Sequence, residues 1–495
     1  MWSRMMNFFS KKTEHMSVRR YDAAQHNNFT ADWKLSTNQS ADEVLRYSIK
    51  TIIERSRDLA RNNDYVRWAL RLLKSNVVGH AGIKLQLRVK KRNGSINQVL
   101  NNQIEKHWKD WANKQYCDVS GHYSLIEFQK AFLVNRVRDG EAIVRIVRNF
   151  NNPYRIALQL IENDYLDYDL NTTLSNGNSI IMGVERDEWL RPVNYHFIDF
   201  RGGTISKTAG VARKHFVLPA SDIIHSYRRD RPTQTRGVPR YVSSVTRLRQ
   251  LGSYEDATLI SARAESGKMG FFVSEGDNRY GGDDIDSDGN LISEASPGTF
   301  EQLPAGVKFQ AWEPQNPNAN MPDFVRSMQR GAACGMEMSY NLFANDRENV
   351  NYSSIRDGAL IDRDLFREDQ QTLIEDLLFP VYLEWLKMQD LTGFFPTTLS
   401  SFEREQVDNP TWNTRGWAWI DPQREVNASI SAIDAKLKSR TRIIAEGGDD
   451  FHDTIDELTM EKDYIEESGL NPSLVEEEEP EEEKPEEDEE KENED

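Results

Sequence analysis

The sequence lacks the residue patterns typical of disulfide-bonded, metal-binding or membrane-spanning proteins. Only two cysteines, Cys117 and Cys334, occur in 495 residues. Because they form no CxxC pair, they predict neither a disulfide framework nor a cysteine zinc site, and we expect inert core thiols. Apolar runs such as 270–273 fall far below the ~18 residues of a membrane-spanning helix. The first residues resemble no secretory signal, so we expect a cytoplasmic protein without a membrane span.

Complete catalytic motifs are also missing. The nine histidines form no HExxH motif, and no GxSxG segment occurs. Gly267-Lys268 resembles the end of a phosphate-binding P-loop, but Ala262 stands where the first glycine belongs and Met269 where a serine or threonine must hold magnesium. We therefore predict that the chain is not an enzyme and uses no cofactor.

An acidic loop carries the one metal-like pattern. Asp284, Asp286 and Asp288, followed by Gly289, match the first half of a calcium loop, but the twelfth position is Ala295 instead of glutamate. The favoured interpretation is a solvated acidic loop without metal, and calcium binding is the alternative. The loop residues that we single out are Asp283, Asp284, Asp286 and Asp288.

Charge is distributed unevenly along the chain. Hydrophobic residues make up 38% and charged residues 29%, with a formal net charge of −18. Residues 475–495 hold fifteen acidic residues and two lysines, a local charge of −13, which leaves −5 for the rest. Affinity for DNA comes mainly from basic residues that displace counterions. Any contact of this chain with DNA should therefore be weak and non-specific.

The first half of the chain predicts an α+β domain. Ser40 and Glu43 form a capping-box signal before an amphipathic helix. Residues 83–89 alternate between apolar and polar side chains, as in a half-buried strand. The further predicted elements are helices at 97–115 and 124–138 and strands at 141–147, 155–161, 193–199 and 213–217.

The second half predicts long helices around an insertion. A helix of roughly 40 Å is expected at 239–265, with Ser253, Ala257 and Ser261 forming a small-residue face. The segments that follow are a Gly-, Asp- and Pro-rich insertion at 269–320, a helix at 322–342, a polar loop at 344–352, a helix at 354–389 broken at Pro380, further helices from 422 to about 470, and a tail at 475–495 that we expect to be disordered.

Five segments, taken in order, resemble the lambda-type portal family of tailed bacteriophages. They span roughly 40–450, and their order and spacing carry the resemblance. These segments are Arg55–Asn63; Asn76–Gly79 with Gly82-Ile83; Ile224–Tyr227 through Arg236-Gly237-Val238-Pro239 to Tyr254–Ala257; Val350–Arg356; and Trp419–Pro422 followed by Glu446–Asp449.

The resemblance implies a portal fold with a mixed α/β wing, a helical stem, a small α/β clip and a helical C-terminal crown. The implied domains are an N-terminal arm at 1–39, the wing at 40–236, stem helices at 237–268 and 322–343, the clip at 269–321, the tunnel loop at 344–353, a wing helix and link at 354–422, the crown at 423–474, and the acidic tail at 475–495.

The same resemblance implies a function and its residues. Copies would form a ring, a dodecamer by family analogy, at a capsid vertex in the virion after assembly in the host cytoplasm. Its partners would be terminase, capsid and scaffold proteins, a neck or tail adaptor and double-stranded DNA. The tunnel loop beside DNA would consist of Asn345, Asp346, Arg347, Glu348, Asn349, Val350 and Asn351, and the stem turn of Arg236, Gly237, Val238 and Pro239.

Several alternatives stay open at this point. The chain could be a packaging enzyme, such as a nuclease or ATPase, or a minor capsid or neck protein without a channel. Arg236 could contact DNA instead of bracing the stem turn. Trp412, Trp417 and Trp419 could stack on nucleic acid, although a core or interface position is favoured.

Overall fold

The computed structural model describes most of the chain outside its two ends. The described residues are 39–198, 215–266, 270–274, 284–285, 291–292, 307–311, 321–348, 352–394, 399–417, 422–447 and 451–468. The predicted arm, apart from residue 39, and the predicted acidic tail therefore lie outside the described residues.

Helices and strands both contribute, in a mixed α and β fold. The helices are α1 Ala41–Arg46, α2 Ile49–Asn62, α3 Asp64–Leu73, α4 Gln98–Trp111, α5 Lys114–Cys117, α6 Leu125–Arg138, α7 Val245–Ser266, α8 Met321–Met336, α9 Tyr340–Ala344, α10 Tyr352–Leu373, α11 Phe379–Thr392, α12 Ser401–Val407, α13 Pro422–Asp434, α14 Arg440–Gly447 and α15 Phe451–Ser468. The strands are β1 Lys84–Gln86, β2 Glu141–Arg148, β3 Ile156–Ile161, β4 Thr172–Thr173, β5 Ser179–Ile181, β6 Val184–Arg186, β7 Pro192–Ile198, β8 His215–Pro219, β9 Ile223–Tyr227, β10 Gly270–Ser274, β11 Asp284–Ile285, β12 Leu291–Ile292, β13 Val307–Ala311 and β14 Thr411–Asn413.

Local signals start the N-terminal helices. The Ser40 hydroxyl accepts a hydrogen bond from the Glu43 amide, and the Glu43 carboxylate accepts one from the Ser40 amide at 2.7 Å, so the predicted capping box is present. Asn63 caps α3 in the same way, by accepting from the Val66 amide. A π-helical turn, Lys74–Val78, follows α3 and ends at Gly79, whose φ of +72° favours glycine.

Two antiparallel sheets share one core. Strands β3, β2 and β9 form the first sheet in that order, and β4 to β8 form a five-stranded meander. Ile143 and Ile161 of the first sheet pack with Val184 and Phe197 of the second. The main hydrophobic core lies on the helical side, where it joins β2 to helices α3, α4, α6, α8 and α11. The sheets and the helices thus form a single packed body.

The sequence pattern predicted four of the eight strands of these two sheets and missed β4, β5, β6 and β9. The predicted strands at 141–147, 155–161, 193–199 and 213–217 correspond to β2, β3, β7 and β8, and the predicted helix at 124–138 to α6. The predicted strand at 83–89 is shorter, because only Lys84–Gln86 pairs with a neighbour, β14. Its apolar residues are nevertheless buried in the main core. The alternating pattern therefore correctly predicted which side of the segment is buried, also where the segment pairs with no other strand.

Two predicted helices have different limits. The helix expected at 239–265 begins at Val245, after a 3-10 turn at Val242–Ser244. The helix expected at 322–342 is two helices, α8 and α9. The break occurs at Glu337, whose φ of +58° is left-handed and ends α8.

The helix predicted at 354–389 is interrupted rather than broken at Pro380. A π-helical turn, Ile374–Leu378, joins α10 to α11, and Pro380 lies in the first turn of α11. Proline has no N–H to donate and its ring crowds the carbonyl four residues earlier. The wider turn just before Pro380 relieves that conflict and lets the helix continue.

The two cysteines have different environments. Cys117 is buried, and burial raises the pKa of its thiol to about 12. Cys334 is exposed on α8, so the expectation of a core thiol was wrong for it. Among the described residues, no cluster of three or more His, Cys, Asp or Glu side chains has the arrangement of a metal site. No helix in the described ranges combines the length and hydropathy needed to cross a membrane.

The C-terminal helices leave large apolar side chains exposed. In α13 and just after it, Ile430 is 51% exposed and Leu437 is 80% exposed. In α15, Leu458, Met460 and Tyr464 are also exposed. Helix α14 has no buried residue. This part of the chain therefore lacks a core of its own among the described residues.

Candidate functional site

The segment that leads from the sheets into α7 is held by a buried ion pair. Arg236 is fully buried, and its Nε lies 2.9 Å from both carboxylate oxygens of Glu141, the first residue of β2. The guanidinium also donates to the Met182 carbonyl at 2.9 Å and lies 4.0 Å from the ring centroid of Tyr168. Arg236 thus lies in the interior of the subunit, away from any surface that DNA could reach.

Further groups complete the coordination of Glu141. His225 Nε2 lies 2.9 Å from Glu141 Oε2, and the Gly237 amide donates to the same oxygen at 3.1 Å. Burial alone would raise the pKa of Glu141, but Arg236 and His225 outweigh burial and hold this pKa at about 2. Burial lowers the pKa of His225 despite its contact with Glu141. The carboxylate is therefore ionised and the imidazole neutral near pH 7.

Two glycines let the backbone turn at this point. A Cβ added at Gly237 would overlap the carbonyl oxygen of Gly140, and one added at Gly140 would overlap the backbone of Val238. Gly140 also has a φ of +89°. Close contact between the two chain segments places Arg236 directly over Glu141. The sequence pointed to Arg236, Gly237, Val238 and Pro239, but it did not indicate Glu141 as the partner.

Glycines of α8 bring α7 and α8 together. A Cβ on Gly335 would overlap the Ser244 hydroxyl, and one on Gly331 would overlap the Arg247 side chain. Ser253 and Ala257, which the sequence suggested as the closely packed face of α7, are exposed. The close approach therefore depends on glycine in α8, whereas Ser253 and Ala257 of α7 are exposed in the single subunit.

The polar loop after α9 is fixed at its start. Asn345 has a left-handed φ of +52° and ends α9. Asp346 accepts a hydrogen bond from the Tyr340 hydroxyl at 2.7 Å, and this contact, with that of the Glu348 amide, lowers the pKa of Asp346. Arg326 of α8 forms ion pairs with both Asp346 and Glu348. The loop is thus attached to α8 by side chains that the sequence did not single out.

Arg347 differs from its neighbours in the loop. Its side chain is exposed and forms no ion pair with any residue in the described ranges. The other loop candidates, Asn349, Val350 and Asn351, lie outside the described residues. Asp283, Asp286 and Asp288 of the acidic loop also lie outside them, whereas Asp284 belongs to the short strand β11, which pairs with β12. Asp284 is therefore the one candidate of this loop that falls within the described residues.

The tryptophans do not form one stacking surface. Trp412 packs against Trp108 and Tyr382 in the main core, with centroid distances of 6.2 and 6.1 Å. Trp417 is half-buried, and Trp419 lies outside the described residues. The favoured core interpretation holds for Trp412.

Sequence comparison decides the family. The sequence model of the family described as phage portal protein, lambda family, matches residues 26–370. The chain belongs to the lambda family of phage portal proteins. A probable portal protein of Halomonas phage phiHAP-1 is 31% identical over 468 residues, which cover 93% of this chain and 90% of the relative. Portal protein B of Escherichia phage lambda is 21% identical and covers 88% of this chain and 87% of the relative.

A solved structure shows a weaker likeness. A chain from the neck of a native gene transfer agent particle matches 80% of this chain and 93% of its own length, with a TM-score of 0.45 and 11% identity. The family membership confirms the portal resemblance and a phage portal function. Portal proteins form a structural family and not an enzyme family, which favours the structural interpretation over a nuclease or ATPase.

Proposed function

We propose that copies of this chain form a closed ring at one vertex of a tailed-phage capsid and that double-stranded DNA passes through the bore. The match to lambda-family portal proteins over residues 26–370 supports this proposal most strongly. In a closed ring, each subunit has two different contact faces, and one face of each subunit binds the other face of the next subunit. The exposed residues Ser253 and Ala257 of α7 and the exposed apolar residues of α13 and α15 offer surface for such contacts.

Within the ring, residues 344–353 act as the loop next to DNA. The support for this assignment is the combination of an anchored start and an exposed cation. Arg326 and Tyr340 hold Asp346 in place, and Arg347 is exposed beside it. A single exposed cation attracts a phosphate group only weakly. Many basic contacts would instead bind DNA tightly enough to stop it from sliding.

The remaining assignments follow the same proposal. Residues 40–236 serve as the wing, α7 and α8 as the stem, residues 269–321 as the clip that faces terminase, and residues 423–474 as the crown on the capsid side. The ring assembles in the host cytoplasm, contacts capsid or scaffold proteins, and joins a neck or tail adaptor in the virion. Twelve copies are expected by family analogy alone.

Assembly is tested by the mass of the native particle. Native mass spectrometry of the purified chain should give one closed oligomer, and electron microscopy should show a central opening. A preparation that contains only monomers under several salt and concentration conditions would contradict the ring, whereas a ring without an opening would favour a capsid or neck role without a channel.

The loop assignment is tested in assembled particles. Deleting Asn345–Asn351 should leave rings intact and reduce the amount of packaged DNA. The substitution Arg347→Glu should reduce it less, and Arg92→Glu, a charge reversal at an exposed loop residue between β1 and α4, provides the matched control. A normal yield of packaged DNA from the deletion would refute the loop assignment.

A further inference from the structure

A basic cavity lies on the surface between α3, α6 and the segment after β14. It has a volume of about 460 Å³, and five of its lining residues carry basic side chains. These residues are Arg71, Lys74, His80, Lys130 and Arg415. Within the described residues, no acidic side chain lines the cavity and none of the five basic residues forms an ion pair. We call this cavity the basic groove.

Arg415 is held in place by the turn after α3. Arg415 donates to the Ser75 carbonyl at 2.5 Å and to Asn76 Oδ1 at 2.9 Å. The side chain of Arg415 also packs against Gly79, where an added Cβ would lie 2.7 Å from Cδ of the arginine. The π-helical turn after α3 thus presents Lys74 and positions Arg415 on the same side of the groove.

Positive charge accumulates beyond the groove itself. Arg363, Arg367 and Arg415 surround the ring of Trp417, at 5.9, 5.5 and 6.0 Å from its centroid. Arg367 is itself paired with Asp364 at 2.8 Å, which offsets part of this charge. Burial and the nearby charge of Arg363 lower the pKa of Arg415. An arrangement in which like charges lie this close is stabilised by an anion that approaches the groove.

The positive surface also continues on the other side of the groove. Lys74 borders a second cavity, of about 450 Å³, that contains Arg61 and Arg67. Glu162 lines this second cavity, and its other two arginines, Arg57 and Arg138, are already paired with Asp139. The extended cationic surface therefore suits a polyanion better than a single small ion.

The chain carries its own polyanion. Residues 475–495 have a local net charge of −13. The end of α14 lies next to the groove. Its last residue, Gly447, packs so closely against Gly416 that a Cβ added at Gly416 would overlap the Gly447 backbone. Gly416 directly follows Arg415 in the sequence. The chain segment that leads from Gly447 to the acidic residues therefore starts beside the groove.

Chain length permits the contact. Helix α15 has 18 residues and is about 27 Å long at 1.5 Å per residue. With the three residues before it, Ser468 lies at most about 40 Å from Gly447. The 27 residues from 469 to 495 can span up to ~90 Å, which is more than enough to return to the groove.

We propose that the acidic segment 475–495 of the same chain binds in the basic groove. The carboxylates would enter the groove beside Lys74, Lys130 and Arg415, where no acidic side chain of the described fold lines the wall, although Glu127 lies near Lys130 outside the groove. A tethered segment acts at a high effective concentration, so weak individual ion pairs suffice for binding. Because the contacts are near the surface, salt should weaken them. This proposal concerns the single chain and does not depend on ring formation.

Peptide binding tests the proposal directly. The chain that ends at Leu474 is titrated with a fluorescent peptide of residues 475–495 while fluorescence anisotropy is recorded. Reversing two charges of the groove with Lys74→Glu and Lys130→Glu should weaken binding about tenfold. The matched control reverses two exposed lysines on α4, Lys106→Glu and Lys109→Glu, and should change affinity less than about twofold.

Two further variants guard against misfolding and a simple effect of net charge. Neutralising the same pair with Lys74→Gln and Lys130→Gln should weaken binding by roughly threefold, with less disturbance of the surface. Equal weakening by the groove pair and the α4 pair would show an effect of net charge alone and overturn the proposal. Duplex DNA that binds the groove while the peptide does not would also overturn it, because the groove would then be a phosphate site.

Cross-linking tests the contact in the full chain. A carbodiimide should join Lys74 or Lys130 to glutamates of 476–495 at low salt, and much less in high salt. A mixture of unlabelled chains and chains labelled with heavy nitrogen should give cross-links within one isotopic form. Cross-links that join light to heavy chains would overturn the assignment to the same chain, and the absence of any would overturn the contact.

Discussion

The junction around Arg236, between the sheets and α7, differs from the C-terminal helices α13 to α15 in how its side chains are buried. At the junction around Arg236, charged groups and glycines are buried within the subunit and pair with each other. In the C-terminal helices, apolar residues such as Ile430 and Leu437 remain exposed. The first region is packed within one subunit, whereas the second leaves apolar side chains on the surface. Stability should therefore depend on the junction, and assembly on the C-terminal helices.

The largest effect is expected from the glycine contact at the junction. Gly237→Val places a side chain where the Gly140 carbonyl already lies, so we expect a loss of about 4 kcal/mol or more in the free energy of unfolding, or no folded protein. Urea denaturation measures the loss. Gly252→Ala is the matched control, because an added Cβ there meets no atom within 4 Å inside α7, and it should stabilise the protein by up to about 1 kcal/mol. A stable Gly237→Val variant would contradict the tight junction.

A smaller but still large effect is expected from the buried carboxylate. Glu141→Gln leaves the charge of Arg236 buried without its partner, and should cost about 3 kcal/mol of unfolding free energy in the same assay. The double variant Glu141→Gln with Arg236→Met removes the unpaired charge and should recover part of the loss. Lys50→Ala, which removes an exposed pair with Asp169, should cost less than about 1 kcal/mol. Equal losses of unfolding free energy at the buried pair and at the exposed pair would contradict the special importance of the buried pair.

The pH dependence of the junction should be moderate. Because burial lowers the pKa of His225 in the folded state, the unfolded chain takes up this proton first as the pH falls below about 6.5. Stability is thus fully present above that pH and declines below it, by at most about 1.4 kcal/mol per pH unit. Glu141, with a pKa of about 2, adds a second loss as the pH falls through and below about 4.5.

The variant His225→Gln isolates the first of these losses. Glutamine can still donate to Glu141 but does not titrate, so the decline between pH 6.5 and pH 5 should become shallower in urea denaturation series. An unchanged slope in this variant would show that another group is responsible.

The smallest effect on subunit stability is expected in the C-terminal helices. Ile430→Ser and Leu437→Ser alter exposed side chains and should change the free energy of unfolding of the monomer by less than about 0.5 kcal/mol. They should nevertheless reduce the fraction of assembled particles in size-exclusion chromatography. Leu248→Ser, at a fully buried position of α7, is the contrasting control and should cost at least about 2 kcal/mol. Normal assembly of the surface variants would separate these helices from the subunit contact.

Sequence patterns predicted the regular elements better than their interruptions. Strands β2, β3, β7 and β8 contain short runs of apolar and β-branched residues that a sheet must bury, and such runs are visible in the sequence. The break at Glu337 depends on a left-handed backbone at a non-glycine residue, which no local pattern indicates. For the region before Pro380, the sequence likewise predicted only a break at the proline and not a π-helical turn that lets the helix continue.

The candidate sites were partly predictable for a related reason. Arg236 stood out because of the segment that it precedes, but its partner Glu141 lies 95 residues earlier in the chain. The only sequence signal was an acidic residue at the start of an otherwise apolar strand, directly after Gly140. The basic groove collects Lys74, Lys130 and Arg415 from distant segments, so it becomes visible only after the chain has folded.

Hydrogen–deuterium exchange of the monomeric and assembled forms tests the contrast between the two regions most directly. We predict that assembly strongly protects the amides of residues 422–468 and leaves β2 and the segment 234–240 almost unchanged, since these are already protected in the single subunit. Equal exchange of residues 422–468 in both forms, or strong new protection confined to the junction, would contradict this account.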